Sequence, residues 1–126
     1  MSIFNDKFNE VIKHEGAVSI VTWSEENGVN VSNTWNSYLR VPTDGRLLIP
    51  AAGMKKTEKN VNLNNNVKLT LGTKEVQGLW GPGAGFLLEG TAEFIYEGKE
   101  YETMKELFPF MGRVLAVTIN KIKQTV

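Results

Sequence analysis

The stretch from Pro50 to Val61, Pro-Ala-Ala-Gly-Met-Lys-Lys-Thr-Glu-Lys-Asn-Val, leads from a predicted strand into a predicted helix. An apolar run, Leu47 to Ile49, precedes it, and small residues, a glycine and a polar segment follow. The first N–H groups of a helix have no partner within the helix and carry partial positive charge, so they attract anions. Lys55, Lys56 and Thr57 add two cations and a hydroxyl at this point. The stretch therefore predicts a phosphate site at a strand–turn–helix junction, with an ordinary capped surface helix as the alternative.

The segment before this junction, Val29 to Val41, predicts a long strand with an unusual side-chain pattern. A half-buried strand places apolar side chains on one face. Here both faces mix polar and aromatic groups, namely Ser32, Asn33, Thr34, Trp35, Asn36, Ser37 and Tyr38. The mixture indicates a strand that lines a polar ligand, or else a hydrated strand near a sheet edge.

Apolar periodicity and turn signals divide the rest of the chain into short helices and antiparallel strands. A first helix, capped by Asn5 or Ser2, is predicted to end at His14 and Glu15, and a glycine-rich loop is predicted from Gly78 to Gly85. The other predicted elements are strands at Ala17 to Trp23, Arg46 to Ala51, Val67 to Thr73, Phe86 to Tyr96 and Arg113 to Thr125, and a helix at Lys99 to Phe108. This order predicts one mainly β domain over residues 1–126, a closed or partly closed barrel.

Composition excludes several classes of function. Fourteen basic and fourteen acidic residues leave no net charge, which disfavours binding to nucleic acid or to anionic membranes. With no cysteine and one histidine, the chain has no thiol chemistry and no multi-histidine metal site. No nucleophile–base pair stands out, so no catalytic residue is assigned. The N-terminus lacks the apolar core of a signal peptide and no apolar run reaches membrane-spanning length, so we expect a soluble, cytoplasmic protein.

The polar strand, the phosphate-binding turn and several aromatic residues together suit a planar, phosphorylated cofactor. The possible stacking residues are Trp35, Tyr38, Trp80, Phe86 and Phe110. For each of these aromatic side chains, the alternative to stacking on a ligand is packing in the hydrophobic core. FMN has the required ring and phosphate. Because such a cofactor carries the redox chemistry itself, the protein contributes mainly binding and electrostatics.

Five motifs carry a resemblance over nearly the whole chain, at residues 33–39, 53–58, 69–72, 81–87 and 124–126. With them the sequence resembles the small FMN-binding proteins of sulfate-reducing bacteria, in the split-barrel superfamily of pyridoxamine 5′-phosphate oxidase. The resemblance implies a six-stranded antiparallel split β-barrel with short peripheral helices. It also implies a homodimer with one FMN at each of two subunit-interface sites.

The same resemblance implies a role for each motif. The segment from Asn33 to Ser37 would line the isoalloxazine and the ribityl chain, and the glycine-rich loop and Val126 would come from the partner subunit. The implied cofactor-binding residues are Asn33, Thr34, Trp35, Asn36, Ser37, Pro50, Ala51, Gly53, Met54, Lys55, Lys56, Thr57, Gly83, Ala84, Gly85, Phe110 and Val126. Phe110 stands where the relatives have a tryptophan. The basic and histidine residues that bind pyridoxamine phosphate are missing, so we do not predict oxidation of that vitamer.

A small redox protein that transfers electrons is the first functional hypothesis, with an unidentified redox partner protein or small-molecule reductant. Glu15 is its predicted redox-tuning residue, because an acid at the negative end of a helix gains nothing from the helix dipole; a solvated helix-end acid is the alternative. A second hypothesis is an FMN-dependent oxidoreductase, an NAD(P)H-dependent reductase of flavin or of a small molecule. An oligonucleotide-binding barrel and a regulatory or storage protein for FMN complete the set.

Overall fold

Six antiparallel strands and three short helices make up the fold in the computed structural model, which describes residues 3–126. The elements in chain order are α1 (Asp6–Val11), β1 (Ala17–Ser24), β2 (Gly28–Trp35), a 3₁₀ turn (Asn36–Tyr38), β3 (Arg46–Ala51), α2 (Lys55–Leu63), β4 (Asn66–Gln77), β5 (Pro82–Ile95), α3 (Lys99–Leu107) and β6 (Arg113–Gln124). The mainly β, six-stranded antiparallel fold that the resemblance implied is confirmed.

The strands form one sheet in the order β2-β1-β4-β5-β6-β3, curled into a half-barrel whose two edges are β2 and β3. After the 3₁₀ turn the chain returns to β3, where Arg40 and Leu48 exchange backbone hydrogen bonds of 3.0 and 2.8 Å. The segment between the two edge strands therefore reaches the far edge of the sheet.

The core inside the half-barrel is filled by alternate residues of the strands. β1 buries Val18, Ile20, Thr22 and Ser24, as period-two alternation requires. α1 covers this core with Phe8, whose ring contacts that of Phe86 edge to face at a centroid distance of 5.5 Å. The predicted stacking role of Phe86 therefore gives way to its alternative, since this ring is a core residue.

The first half of β6, residues 113–117, is buried on both faces, which explains the continuous apolar run there. Leu115 and Val117 face the interior of the half-barrel, whereas Val114 and Ala116 pack with Met104 of α3. Helix α3 is thus a cover for the outer face of the sheet. None of the helices in residues 3–126 has the length and apolar character needed to cross a membrane.

Helix α2 lies between strands from both ends of the sheet. Thr57 bonds to Asn30 of β2, Asn60 bonds to Ser24 of β1, and Glu58 pairs with Arg113 of β6. The helix therefore bridges parts of the sheet that the strand order keeps apart.

The predicted strand from Val29 to Val41 is wrong beyond Trp35, where β2 ends. The Asn36 N–H still donates to the Gly16 carbonyl (2.9 Å), in register with β1, but Asn36 begins a 3₁₀ turn in which its carbonyl accepts from the Leu39 N–H (3.1 Å). The buried Asn36 side-chain amide donates to the carbonyls of His14 (3.0 Å) and Gly72 (3.1 Å). These two side-chain bonds hold the turn against the loop before β1 and against β4.

Two further predicted boundaries are wrong. The glycine-rich loop is only residues 78–81, because β4 runs to Gln77 and β5 begins at Pro82. Helix α1 ends at Val11, so Glu15 lies in the loop before β1 and not at a helix C-terminus. The helix-position argument for Glu15 therefore fails. Asn5 is the cap, with its Oδ1 accepting from the Phe8 N–H at 2.8 Å, and the alternative cap Ser2 lies outside the described residues.

Candidate cofactor site

The turn that enters α2 has the features of an anion site. Gly53 and Met54 both have positive φ, 69° and 53°, and Met54 makes no side-chain cap to the helix. The first intrahelical bond runs from the Glu58 N–H to the Met54 carbonyl at 2.9 Å. The three preceding N–H groups, of Lys55, Lys56 and Thr57, therefore have no partner within the helix. Lys55 and Lys56 are exposed, so their N–H groups are the ones that an anion can reach.

The two lysines of this turn are exposed, and Thr57 is fully buried. Lys56 lines a cavity of about 170 Å³ between α2 and the start of β2. The Thr57 hydroxyl accepts from the Asn30 side-chain amide at 3.1 Å and also hydrogen-bonds to the Ser32 hydroxyl. The Thr57 side chain is thus engaged by β2, whereas Lys55 and Lys56 face an approaching anion.

The polar segment predicted to line the cofactor ring lies at the end of β2. Thr34 and Asn36 are buried, whereas Asn33, Trp35 and Ser37 are exposed. The side-chain amide of Asn33 donates to the Ser19 hydroxyl and to the Val18 carbonyl, both at 3.2 Å. Among residues 3–126, the buried Asn36 Oδ1 is the side-chain atom left without a hydrogen-bond partner. The segment thus exposes alternate side chains over an unsatisfied buried acceptor.

Glu15 contacts this segment although it is 22 residues away in sequence. Its carboxylate accepts from the Ser37 hydroxyl at 2.7 Å and from the N–H groups of Ser37 and Gly16, both at 3.2 Å. The Ser37 hydroxyl is the largest cause of a pKa for Glu15 below its ordinary value, and the two N–H groups add to it. Glu15 therefore carries a fixed negative charge beside the polar segment at neutral pH.

A surface cavity of about 700 Å³ adjoins Glu15 and brings the glycine-rich motif and the C-terminus of the same chain together. Gly83, Ala84, Gly85 and Val126 all line it. The Gly85 N–H donates to the Val126 carbonyl at 3.2 Å, and a Cβ at Gly85 would lie 3.0 Å from the Val126 side chain. The strand and the C-terminus therefore approach closely at this glycine.

The remaining predicted residues lie on β3 and beside α3. Pro50 and Ala51 are buried at the end of β3, directly before the turn. Phe110 is 54% exposed and packs on Tyr38 at a centroid distance of 5.5 Å. Trp80 is 79% exposed in the four-residue loop between β4 and β5. Phe110 and Trp80 therefore offer exposed aromatic surface, whereas Pro50 and Ala51 are buried residues that lead into the turn.

Sequence reasoning missed an ionic network behind the turn. Arg113, 7% exposed, pairs with Glu58 at 3.1 Å and donates to the Gly53 carbonyl at 2.6 Å. Tyr96 donates its hydroxyl to Glu58 Oε2, the oxygen that also accepts from Arg113 Nε at 3.3 Å. Glu58 has a lowered pKa, chiefly through the Tyr96 hydroxyl and then through the charge of Arg113. An arginine at the first position of a strand gave no local signal of this role.

Several solved structures have the same fold. HupZ of Group A Streptococcus is 17% identical, with a TM-score of 0.79 over 98% of this chain and 94% of that one. An FMN-binding protein from Syntrophomonas wolfei subsp. wolfei is 15% identical, with a TM-score of 0.70 over 86% and 76% of the two chains. HutZ, the heme storage protein from Vibrio cholerae, is 13% identical, with a TM-score of 0.66 over 93% and 91%. At these identities the likeness shows the fold alone.

Sequence comparison reaches further. The FMN-binding protein of Nitratidesulfovibrio vulgaris (strain DSM 19637 / Miyazaki F) is 43% identical over 118 residues, which are 94% of this chain and 95% of that protein. The family model described as pyridoxamine 5′-phosphate oxidase matches residues 4–125. By this match over nearly its whole length, the chain belongs to the pyridoxamine 5′-phosphate oxidase family.

Proposed function

We propose that this protein binds one FMN per chain and works as a small redox protein that transfers electrons. The observation that carries the proposal is the turn at Gly53 and Met54, which places the start of α2 and two exposed lysines where an anion can bind. The 43% identity to a protein named for FMN binding supports the choice of ligand. When bound, FMN supplies the redox chemistry.

The residues present fit FMN at both ends. At the phosphate end, a charge near −2 meets N–H donors, the positive end of a helix and two lysines. At the ring end, the unsatisfied Asn36 Oδ1 is an acceptor that lacks a donor, and an unpaired buried acceptor is unfavourable by about 1–3 kcal/mol. β2 connects the two ends, since it contacts Thr57 at one end and leads into Ser37 at the other.

Glu15 favours an electron carrier over an enzyme. Its carboxylate is ionised, so at neutral pH it opposes added negative charge nearby and is a poor proton donor. The role of this site would then be to bind the cofactor and set its potential.

A reductase that uses NAD(P)H is the second candidate, and one observation favours it. The cavity of about 700 Å³ beside Glu15 is large enough to admit part of a second molecule. Steady oxidation of NAD(P)H by the purified holoprotein would favour this candidate. Reduction that stops at one equivalent of flavin would favour the carrier.

The proposal includes a homodimer and retains the predicted cytoplasmic location. Three residues assigned to the ring end are about half exposed in one chain, Trp35 at 48%, Phe110 at 54% and Val126 at 45%. A second copy that covers them would complete the pocket, in the way that the resemblance implies. Light scattering of the holoprotein tests this, because a mass of one chain contradicts the shared site and a mass of two chains supports it.

The first experiment is the visible absorption spectrum of the purified protein, followed by mass identification of whatever heat releases. We expect a flavin spectrum and close to one FMN per chain. A colourless protein that also fails to take up added FMN would refute the proposal.

A further inference from the structure

The turn at the start of α2 has a conformation that needs outside support. Met54 is the one non-glycine residue with positive φ in the part of the chain that the structure describes, and Gly53 before it is also left-handed. L-residues adopt this region at an energetic cost, so it persists where surrounding contacts hold it. The direction of the three free N–H groups depends on this turn.

Arg113 supplies that support from the neighbouring strand. It lies opposite Ala51 in the β3–β6 register, and Ala51 comes two residues before Gly53 in the turn. One nitrogen, Nη2, donates to the Gly53 carbonyl at 2.6 Å and to Glu58 Oε1 at 3.1 Å, and Nε donates to Glu58 Oε2 at 3.3 Å. The guanidinium also lies over the Phe94 ring, 5.1 Å from its centroid. The rigid, planar guanidinium of Arg113 thus joins Gly53, before the helix, to Glu58 in the first turn of α2.

The same contact removes an electrostatic conflict. Glu58 is in the first turn of α2, where its charge would repel an anion bound at the helix N-terminus. The salt bridge from Arg113 and the hydroxyl of Tyr96 hold this carboxylate on the sheet side and offset its charge. Arg113 therefore acts on both the direction of the donors and the local potential.

We propose that Arg113 is a positioning residue that makes this protein select FMN over unphosphorylated riboflavin, acting through Gly53 and Glu58. The inference rests on the proposed function, because it needs the phosphate of FMN at the α2 turn. If Arg113 had only a structural role, its replacement would lower the affinity for FMN and for riboflavin by the same factor. A residue that shapes the phosphate end changes the ratio of their affinities.

The test is titration of the full-length apoprotein with FMN and with riboflavin, followed by quenching of flavin fluorescence. We expect the wild type to prefer FMN. Arg113→Met should reduce that preference by about tenfold or more, the effect of one misplaced charge-assisted hydrogen bond, with riboflavin affinity unchanged within about twofold. Arg46→Met is the matched control, because Arg46 pairs with Asp44 and Glu100 elsewhere in the fold and should leave the preference intact.

Arg113→Lys separates position from charge. Lysine keeps the positive charge, but it lacks the planar guanidinium that bonds to Gly53 and Glu58 together. The preference for FMN over riboflavin should therefore still fall. It also replaces Arg113→Met in the comparison if that variant does not fold. The inference would be overturned if Arg113→Lys kept the wild-type preference for FMN over riboflavin, or if Arg113→Met lowered the affinity for both flavins by the same factor. Either result would leave FMN binding itself in place. A wild type that binds both flavins equally, or neither, would instead refute the proposed phosphate site and the inference with it.

Discussion

Removing the Asn60 side chain tests whether a buried polar network holds α2 in place. Asn60 is fully buried on the sheet side of the helix. Its Oδ1 accepts from the Ser24 hydroxyl at 2.7 Å, and its Nδ2 donates to the Thr22 hydroxyl at 3.3 Å and to the Gly28 carbonyl at 3.2 Å. Asn60→Ala deletes all three bonds without altering the exposed face of the helix.

The expected loss follows from the burial of each partner. Thr22 and Ser24 are buried, so each loses a bond that water cannot easily replace, at about 1–3 kcal/mol apiece. Gly28 is exposed, and its carbonyl can bond to water instead. Alanine is the better helix former by up to about 0.7 kcal/mol, which offsets part of the loss. We expect Asn60→Ala to lower the free energy of unfolding by about 3 kcal/mol, or the melting temperature by roughly 10 °C.

Urea unfolding of Asn60→Ala and Asn62→Ala side by side is the assay. Asn62 is exposed on the same helix, so the same substitution there should change the free energy of unfolding by no more than the helix-propensity gain of about 0.7 kcal/mol. If the two variants agree within that margin, the network does not stabilise α2 and the reasoning is wrong.

Four other predictions concern the site and its frame. Glu15→Gln removes a negative charge near the ring end and should raise the flavin potential by roughly 40 mV in a spectroelectrochemical titration; no shift would exclude Glu15 as the tuning residue. Lys56→Ala should weaken FMN binding by about 1.5–3 kcal/mol in calorimetry, and an unchanged Kd would remove Lys56 from the site. A Cβ on Gly16 would lie 2.0 Å from a backbone oxygen of β4, so Gly16→Ala should lower the free energy of unfolding by about 1–3 kcal/mol, whereas Gly81→Ala, with open space, should not; equal urea midpoints would contradict this. The lowered pKa of Glu58 stabilises the folded state above its ordinary value of 4.5, so the free energy of unfolding should fall with decreasing pH below that value, and less steeply in Glu58→Gln; parallel pH profiles would disprove the linkage.

Local signals were enough to predict most of the sheet. β1 follows its apolar alternation, and Asn27-Gly28 marks the turn into β2. β3 and β6 follow their apolar runs to within a residue of the predicted bounds. The pattern fails at Asn36, where a 3₁₀ turn begins and the side-chain amide bonds to the carbonyls of His14 and Gly72. Those partners come from other parts of the chain, so no local pattern reveals them.

The candidate site divides in the same way. The turn at Gly53 was predictable, because small residues, a glycine and a polar helix start are adjacent in sequence. Glu15 was chosen on a helix position that it does not have, yet its carboxylate bonds Ser37 of the predicted ring-lining segment. Arg113 was missed because its partner Glu58 is 55 residues away, and only the β3–β6 register brings the two together.

The contacts of α2 account for the two different ends of the proposed FMN site. The phosphate end is rigid, because Thr57, Glu58 and Asn60 fasten one helix to β2, β6 and β1. At the ring end the backbone is held by the bonds of Asn36 and Glu15, but the side chains of Trp35 and Val126 leave about half their surface exposed in one chain. Recognition of the phosphate would then belong to each chain alone. The environment of the ring, and with it the redox potential, would depend on the second copy.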